Sequence, residues 1–203
     1  MDLTQRWPLR SGTDVRDRLL AAYADPARGY HDVRHLSEVL ERLDHLAAAG
    51  TGFDRLPVVL AAWFHDGVHD GRPDDEERSA QWAEESLTGL VPEAVVAEVA
   101  RLVRMTADHR PADDDADGCA LSDADLAILA APQERYDDYV TAGRREYAQV
   151  PDDDFRTGRT AILRALDDKP HLFHTDHARA HWEPAARANL RAELLRLSRG
   201  GAR

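Results

Sequence analysis

Apolar residues recur along this chain at steps of three and four, the spacing of helices that bury one face. Val33, Leu36, Val39, Leu40, Leu43 and Leu46 form one such stripe. Over about 54–68 the residues are apolar nearly all round, which predicts a central helix with no solvent face. The segment 74–87 opens on acidic residues that suit a helix N-terminus. Val95, Val96, Val99, Leu102, Val103 and Met105 mark another helix, with Pro92 acceptable in its first turn. Further helices are predicted over 121–131, 133–149, 154–166 and 184–197. Nothing alternates long enough to suggest a sheet. Pro26/Gly29, Gly50/Gly52, Gly71/Pro73, Pro132, Pro151 and Pro170 separate the segments, and the acidic run 111–118 reads as a solvated loop. The expectation is an all-α helical bundle, a single domain over 1–203 with its core at about 15–197.

Composition narrows the functions open to it. The chain has 203 residues, 43% hydrophobic and 32% charged, an ordinary globular balance. Its formal net charge is −12, which repels phosphate backbones and argues against general nucleic-acid binding. A small phosphorylated ligand stays open, because a bound metal reverses the local field. With Cys119 as the sole cysteine, neither an intrachain disulfide nor a thiolate zinc cage can form. The N-terminal residues lack an apolar signal core, and no run approaches membrane-spanning length, so a soluble, cytoplasmic chain is expected.

The central apolar run ends in the adjacent pair His65-Asp66. Burying an imidazole and a carboxylate without partners is costly, and a divalent metal is their natural partner. His35 upstream and Asp125 downstream are the other candidate ligands. Two imidazoles and two carboxylates suit Mn²⁺ first, with Mg²⁺, Fe²⁺, Co²⁺, Ni²⁺ or Zn²⁺ as alternatives. Against this, Asp125 also fits the third position of a capping box with Ser122 at the N-cap, which leaves Asp123 as its competitor. His171, His174, His177 and His181 read as an incidental cluster without accompanying carboxylates. Tyr136, Tyr139 and Tyr147 have helical spacing, read as core packing rather than base stacking.

In order along the chain stand Tyr30-His31-Asp32-Val33-Arg34-His35, then Ala61-Ala62-Trp63-Phe64-His65-Asp66, then Leu121-Ser122-Asp123-Ala124-Asp125-Leu126. Together they resemble the HD superfamily of metal-dependent phosphohydrolases, whose pattern is a His, an adjacent His-Asp and a distant Asp on a helical bundle. Asp75 to Ala80, Thr106 to His109, Arg144 to Tyr147 and Gly158-Arg159 look like a bacterial subgroup of predicted metal-dependent HD phosphohydrolases. The resemblance implies His35, His65, Asp66 and Asp125 as ligands, with Asp123 second to Asp125.

It also implies hydrolysis of a phosphoester or phosphoanhydride bond in a small phosphorylated metabolite, a nucleotide foremost, by metal-activated water. Asp70 lies one turn beyond Asp66 if the helix persists, and it resembles an acidic position of the stringent-response (p)ppGpp hydrolases. Those enzymes carry Glu where this chain has His69. Asp70 and Glu77 are the candidates for proton transfer, and His109, Arg34, Arg144 and Arg159 for substrate phosphate. The alternatives are a non-catalytic sensor domain binding metal or nucleotide, and a purely structural helical module. Amphipathic helices permit a homodimer.

Overall fold

The helix the sequence places at the centre is there. In a computed structural model, which describes residues 2–200, α3 (Arg55–Phe64) is buried from Pro57 through Phe64. Trp63 is wholly enclosed, and Trp7 meets it edge-on with ring centroids 5.3 Å apart. Around α3 stand α1 (Thr13–Tyr23), α2 (Val33–Ala48), α4 (Asp75–Leu87), α5 (Glu93–Met105) and α6 (Ala116–Leu126). A second group follows: α7 (Gln133–Glu146), α8 (Asp152–Asp167), the short α9 (Asp176–His181) and α10 (Glu183–Gly200). The fold is all-α, with no strand among the described residues. One apolar cluster runs continuously from Leu3 to Leu190, so the first few residues also join the core. No described helix is long and apolar enough to cross a membrane.

Caps set where the helices begin. Asp32 accepts from the N–H groups of Arg34 and His35, and Asp54 from that of Leu56. The structure adds α1 and α9 to the helices read from the sequence and ends α7 at Glu146 rather than 149, and two further departures lie near the candidate centre. The central helix stops at Phe64 rather than Val68, because side chains of α4 capture the next backbone donors. Val68 N–H donates to Ser79 Oγ at 3.0 Å, while Asp70 and Arg72 N–H donate to Asp75 Oδ2 at 2.8 and 3.0 Å. Gly67 lies against Trp82, where a Cβ would come within 2.9 Å of the indole.

The second departure is α6, which begins inside the run read as a loop. Asp115 caps it by accepting from Gly118 N–H at 2.9 Å, and Arg101 of α5 holds that carboxylate at 2.7 and 2.9 Å. Ser122 therefore sits mid-helix, not at a cap. The helix ends at Leu126, and a 3-10 turn (Ala127–Ala130) completes the segment expected to be helical to 131.

Candidate metal centre

Three helices bring four side chains to one point. His35 leaves the first turn of α2, His65 and Asp66 follow α3, and Asp125 lies near the end of α6. His35 Nε2 is 3.1 Å from His65 Nε2, 3.2 Å from Asp66 Oδ2 and 3.2 Å from Asp125 Oδ1. His65 Nε2 is 3.0 Å from Asp66 Oδ2 and 3.7 Å from Asp125 Oδ1. Ligands about 2.0–2.2 Å from one ion sit roughly 3.0–3.6 Å from their neighbours, so these separations suit the edges of a coordination shell. His35 and His65 are buried, and Asp66 Oδ2 is a buried oxygen with no aligned hydrogen-bond donor. Such an oxygen is costly unless something positive faces it. The four groups can therefore hold a metal ion.

The surroundings orient the ligands. His65 Nδ1 lies 2.9 Å from Ala62 O, and donation there leaves the Nε2 lone pair facing the cluster. Burial opposes charge on His35, but the carboxylates of Asp125 and Asp66 outweigh it and hold the imidazole up at about 9. Burial likewise opposes ionisation of Asp66, yet His65 and His31 pull its carboxyl well below the usual range. Asp125 is lowered in the same way, against burial, by His65 and His35. In the absence of an ion, the centre balances two carboxylates with protons on its imidazoles.

Asp125, not Asp123, meets the imidazoles. Asp123 is fully buried but faces the other way, accepting from the N–H groups of His174 and Thr175, both at 2.7 Å. It anchors the chain entering α9. His109 reaches the centre: its Nε2 is 3.4 Å from Asp125 Oδ2 and its Nδ1 is 3.1 Å from Ser122 Oγ. Burial lowers its pKa. Alone among described non-glycine residues it has positive φ, 51°, a conformation that needs support from its surroundings.

The proposed acid–base and phosphate residues fare differently. With α3 ending at Phe64, Asp70 is not one helical turn above Asp66; its carboxylate is half exposed and paired with Arg78 at 2.7 Å. Glu77 is bonded through both oxygens to Arg104 at 2.6 and 2.8 Å. Arg34 is exposed and pairs with Glu38 and Asp138. Arg144 staples the chain after α7, binding Tyr147 O, Val150 O and Asp152. Arg159 is engaged by Glu193 and the Tyr139 hydroxyl. None of these five touches the four-residue cluster.

Three residues that the sequence did not single out prove important. Arg28 fixes the His-Asp turn, donating to Asp66 O at 2.7 Å, Gly67 O at 2.9 Å and His31 O at 3.0 Å. It follows a plain Pro-Ala turn, and no spacing distinguishes it from other surface arginines. Arg42 and Arg135 border a 180 Å³ recess whose wall includes His35 and Asp125. Arg135 is held by Glu38 through two bonds of 2.7 Å, whereas Arg42 lies over Trp182. Of the tyrosines, Tyr136 is core, Tyr139 packs against the core while also lining a 340 Å³ groove, and Tyr147 lines that groove.

No family model matches the chain, and neither a curated protein nor a solved structure does.

Proposed function

We propose that this chain is a metal-dependent phosphohydrolase acting on a small phosphorylated metabolite, with a nucleotide the first candidate. The observation that carries the reading is the buried convergence of His35, His65, Asp66 and Asp125, with Asp66 Oδ2 faced by two imidazole nitrogens and no aligned donor. A divalent cation held there, Mn²⁺ in first place, supplies Lewis acidity toward a phosphoryl oxygen and a more acidic water. The chain's own groups supply the rest. The Ala62 carbonyl is placed to accept from His65 Nδ1–H, and Arg28 fixes the turn carrying Asp66. His109, kept neutral by burial beside Asp125, can hydrogen-bond a phosphoryl oxygen or pass a proton. Arg42 lies over Trp182 at the edge of the recess, where its guanidinium suits an incoming phosphate. A proton-transfer role for Asp70 or Glu77 requires each to leave its arginine.

The test is phosphate release from a panel of nucleotides and sugar phosphates with Mn²⁺, comparing the native chain with Asp66→Ala. Release by the native chain alone supports the reading and names the substrate branch. If the native chain binds metal yet no substrate in the panel is cleaved, including diesters and pyrophosphate donors, the function shifts to ligand sensing.

A further inference from the structure

Beside the first cluster lies a second, drawn from three distant parts of the chain. Glu146 closes α7, His31 precedes α2, and His69 lies in the loop after the His-Asp turn. The two oxygens of Glu146 divide their work. Oε1 accepts from the backbone N–H groups of Gly29, Tyr30 and His31 at 3.0, 2.8 and 2.9 Å, which pins the chain entering α2. Gly29 is required there, because a Cβ would collide with Ala142 O. Oε2 takes no part in that clamp. It faces two imidazoles instead, 2.9 Å from His31 Nδ1 and 3.8 Å from His69 Nε2.

The two rings lie nearly face to face, with centroids 4.0 Å apart and planes tilted by 33°. Two imidazole nitrogens and one carboxylate oxygen from three separate segments thus converge on one point, the donor set and arrangement of a divalent-cation site. One ligand atom from each residue lies within 4.8 Å of the others. Glu146 is nearly buried, with its side chain 5% exposed, while His31 and His69 keep 27% and 16%, which leaves room for water or a ligand. The 340 Å³ groove reaches His31 and Glu146 from one side, and a 510 Å³ recess reaches His69 and Glu146 from the other.

We propose that His31, His69 and Glu146 form a second divalent-cation site next to the first. Two nitrogens and one carboxylate oxygen with open positions suit Zn²⁺, Mn²⁺, Fe²⁺ or Co²⁺. The His31 and His35 rings are 5.6 Å apart, so the two sites adjoin. The proposal does not depend on the phosphohydrolase reading.

The experiment is metal stoichiometry of the full chain, by equilibrium dialysis against Mn²⁺ alone and against Zn²⁺ alone, with the Co²⁺ absorption spectrum as a second readout. His69→Ala and His31→Gln probe the second site, and Asp125→Ala the first. Both second-site variants keep the backbone clamp on Glu146 Oε1, and circular dichroism checks the fold. The expected result is two ions in the native chain and one in each variant, with a separate set of Co²⁺ bands lost in each class. One ion, kept by His69→Ala and His31→Gln but lost by Asp125→Ala, overturns the second site and leaves the first standing. One ion lost by the two histidine variants but kept by Asp125→Ala supports the second site and removes the metal basis of the proposed function. No bound ion in the native chain overturns both, and two ions in every variant overturn this assignment of ligands.

Discussion

Two regions of this bundle are built from the same kinds of residue and end in opposite states. On the face where α4 meets α5, Glu77 takes two bonds from Arg104, and Asp70 is paired with Arg78. Both carboxylates there have an arginine partner, and solvent screens such exposed pairs. Within the bundle, between α2, α3 and α6, Asp66 and Asp125 face only imidazoles, and one buried oxygen has no aligned donor. A saturated ion-pair network is a finished structure, whereas a convergence of buried imidazoles and carboxylates can hold a metal ion. Acidic residues near a motif are therefore poor guides to catalysis until their partners are known.

The largest effect expected from breaking the buried region is on metal binding. A ligand that binds only the folded state at a hundredfold excess over its Kd stabilises by about 2.7 kcal/mol. Mn²⁺ should raise the Tm of the native chain by that much more than it raises that of Asp66→Ala, which loses the first site alone. An equal shift in both would take Asp66 out of the ligand set.

Asp123→Ala sharpens the same contrast, since Asp123 is more deeply buried than Asp66 and Asp125 yet its carboxylate is already engaged by backbone donors. Leaving two backbone donors unpaired should cost about 2–4 kcal/mol in denaturant unfolding while metal affinity stays near native. Lost metal affinity in a chain that remains folded would return Asp123 to the ligand set.

Protonation gives a smaller, graded effect. Without an ion His35 keeps its proton up to about 9, and only the neutral ring is a ligand. Apparent metal affinity should rise between pH 6.5 and about 9, with protons released on binding, and level off above. The sign reverses for the metal-free chain, where the raised pKa contributes stability that is complete below 6.5 and lost as pH climbs through about 9. Calorimetry in buffers of different ionisation heat measures the proton release, and an affinity flat across that range would contradict it.

The smallest effect is expected on the saturated face. Arg104 holds the Glu77 carboxyl down at about 2, against an ordinary 4.5. A depressed carboxyl contributes stability above its unfolded value and loses it as pH falls toward about 2. Glu77→Gln should lower Tm only slightly at neutral pH, and the difference should vanish in acid. Phosphate release unchanged in Glu77→Gln would confirm the outer face as structure, and a large loss would make Glu77 part of the site.

The sequence by itself determined most of the helices and their order, α1 and the short α9 excepted, because the three- and four-residue recurrence of apolar positions is a local signal. It also located the His-Asp pair at the end of the one all-apolar helix, since burial of that helix is written in its composition. What only the tertiary structure decided were the ends and the partners. Whether the chain continued from Asp66 to Asp70 as helix depended on Ser79 and Asp75 of α4 capturing backbone donors. The choice between Asp123 and Asp125 depended on which face of α6 met α2, and Arg28, Glu146 and His31 gained meaning only from chain segments up to 117 positions away. Periodicity tells a residue's face. Long-range hydrogen bonds tell what that face meets, and no local pattern encodes them.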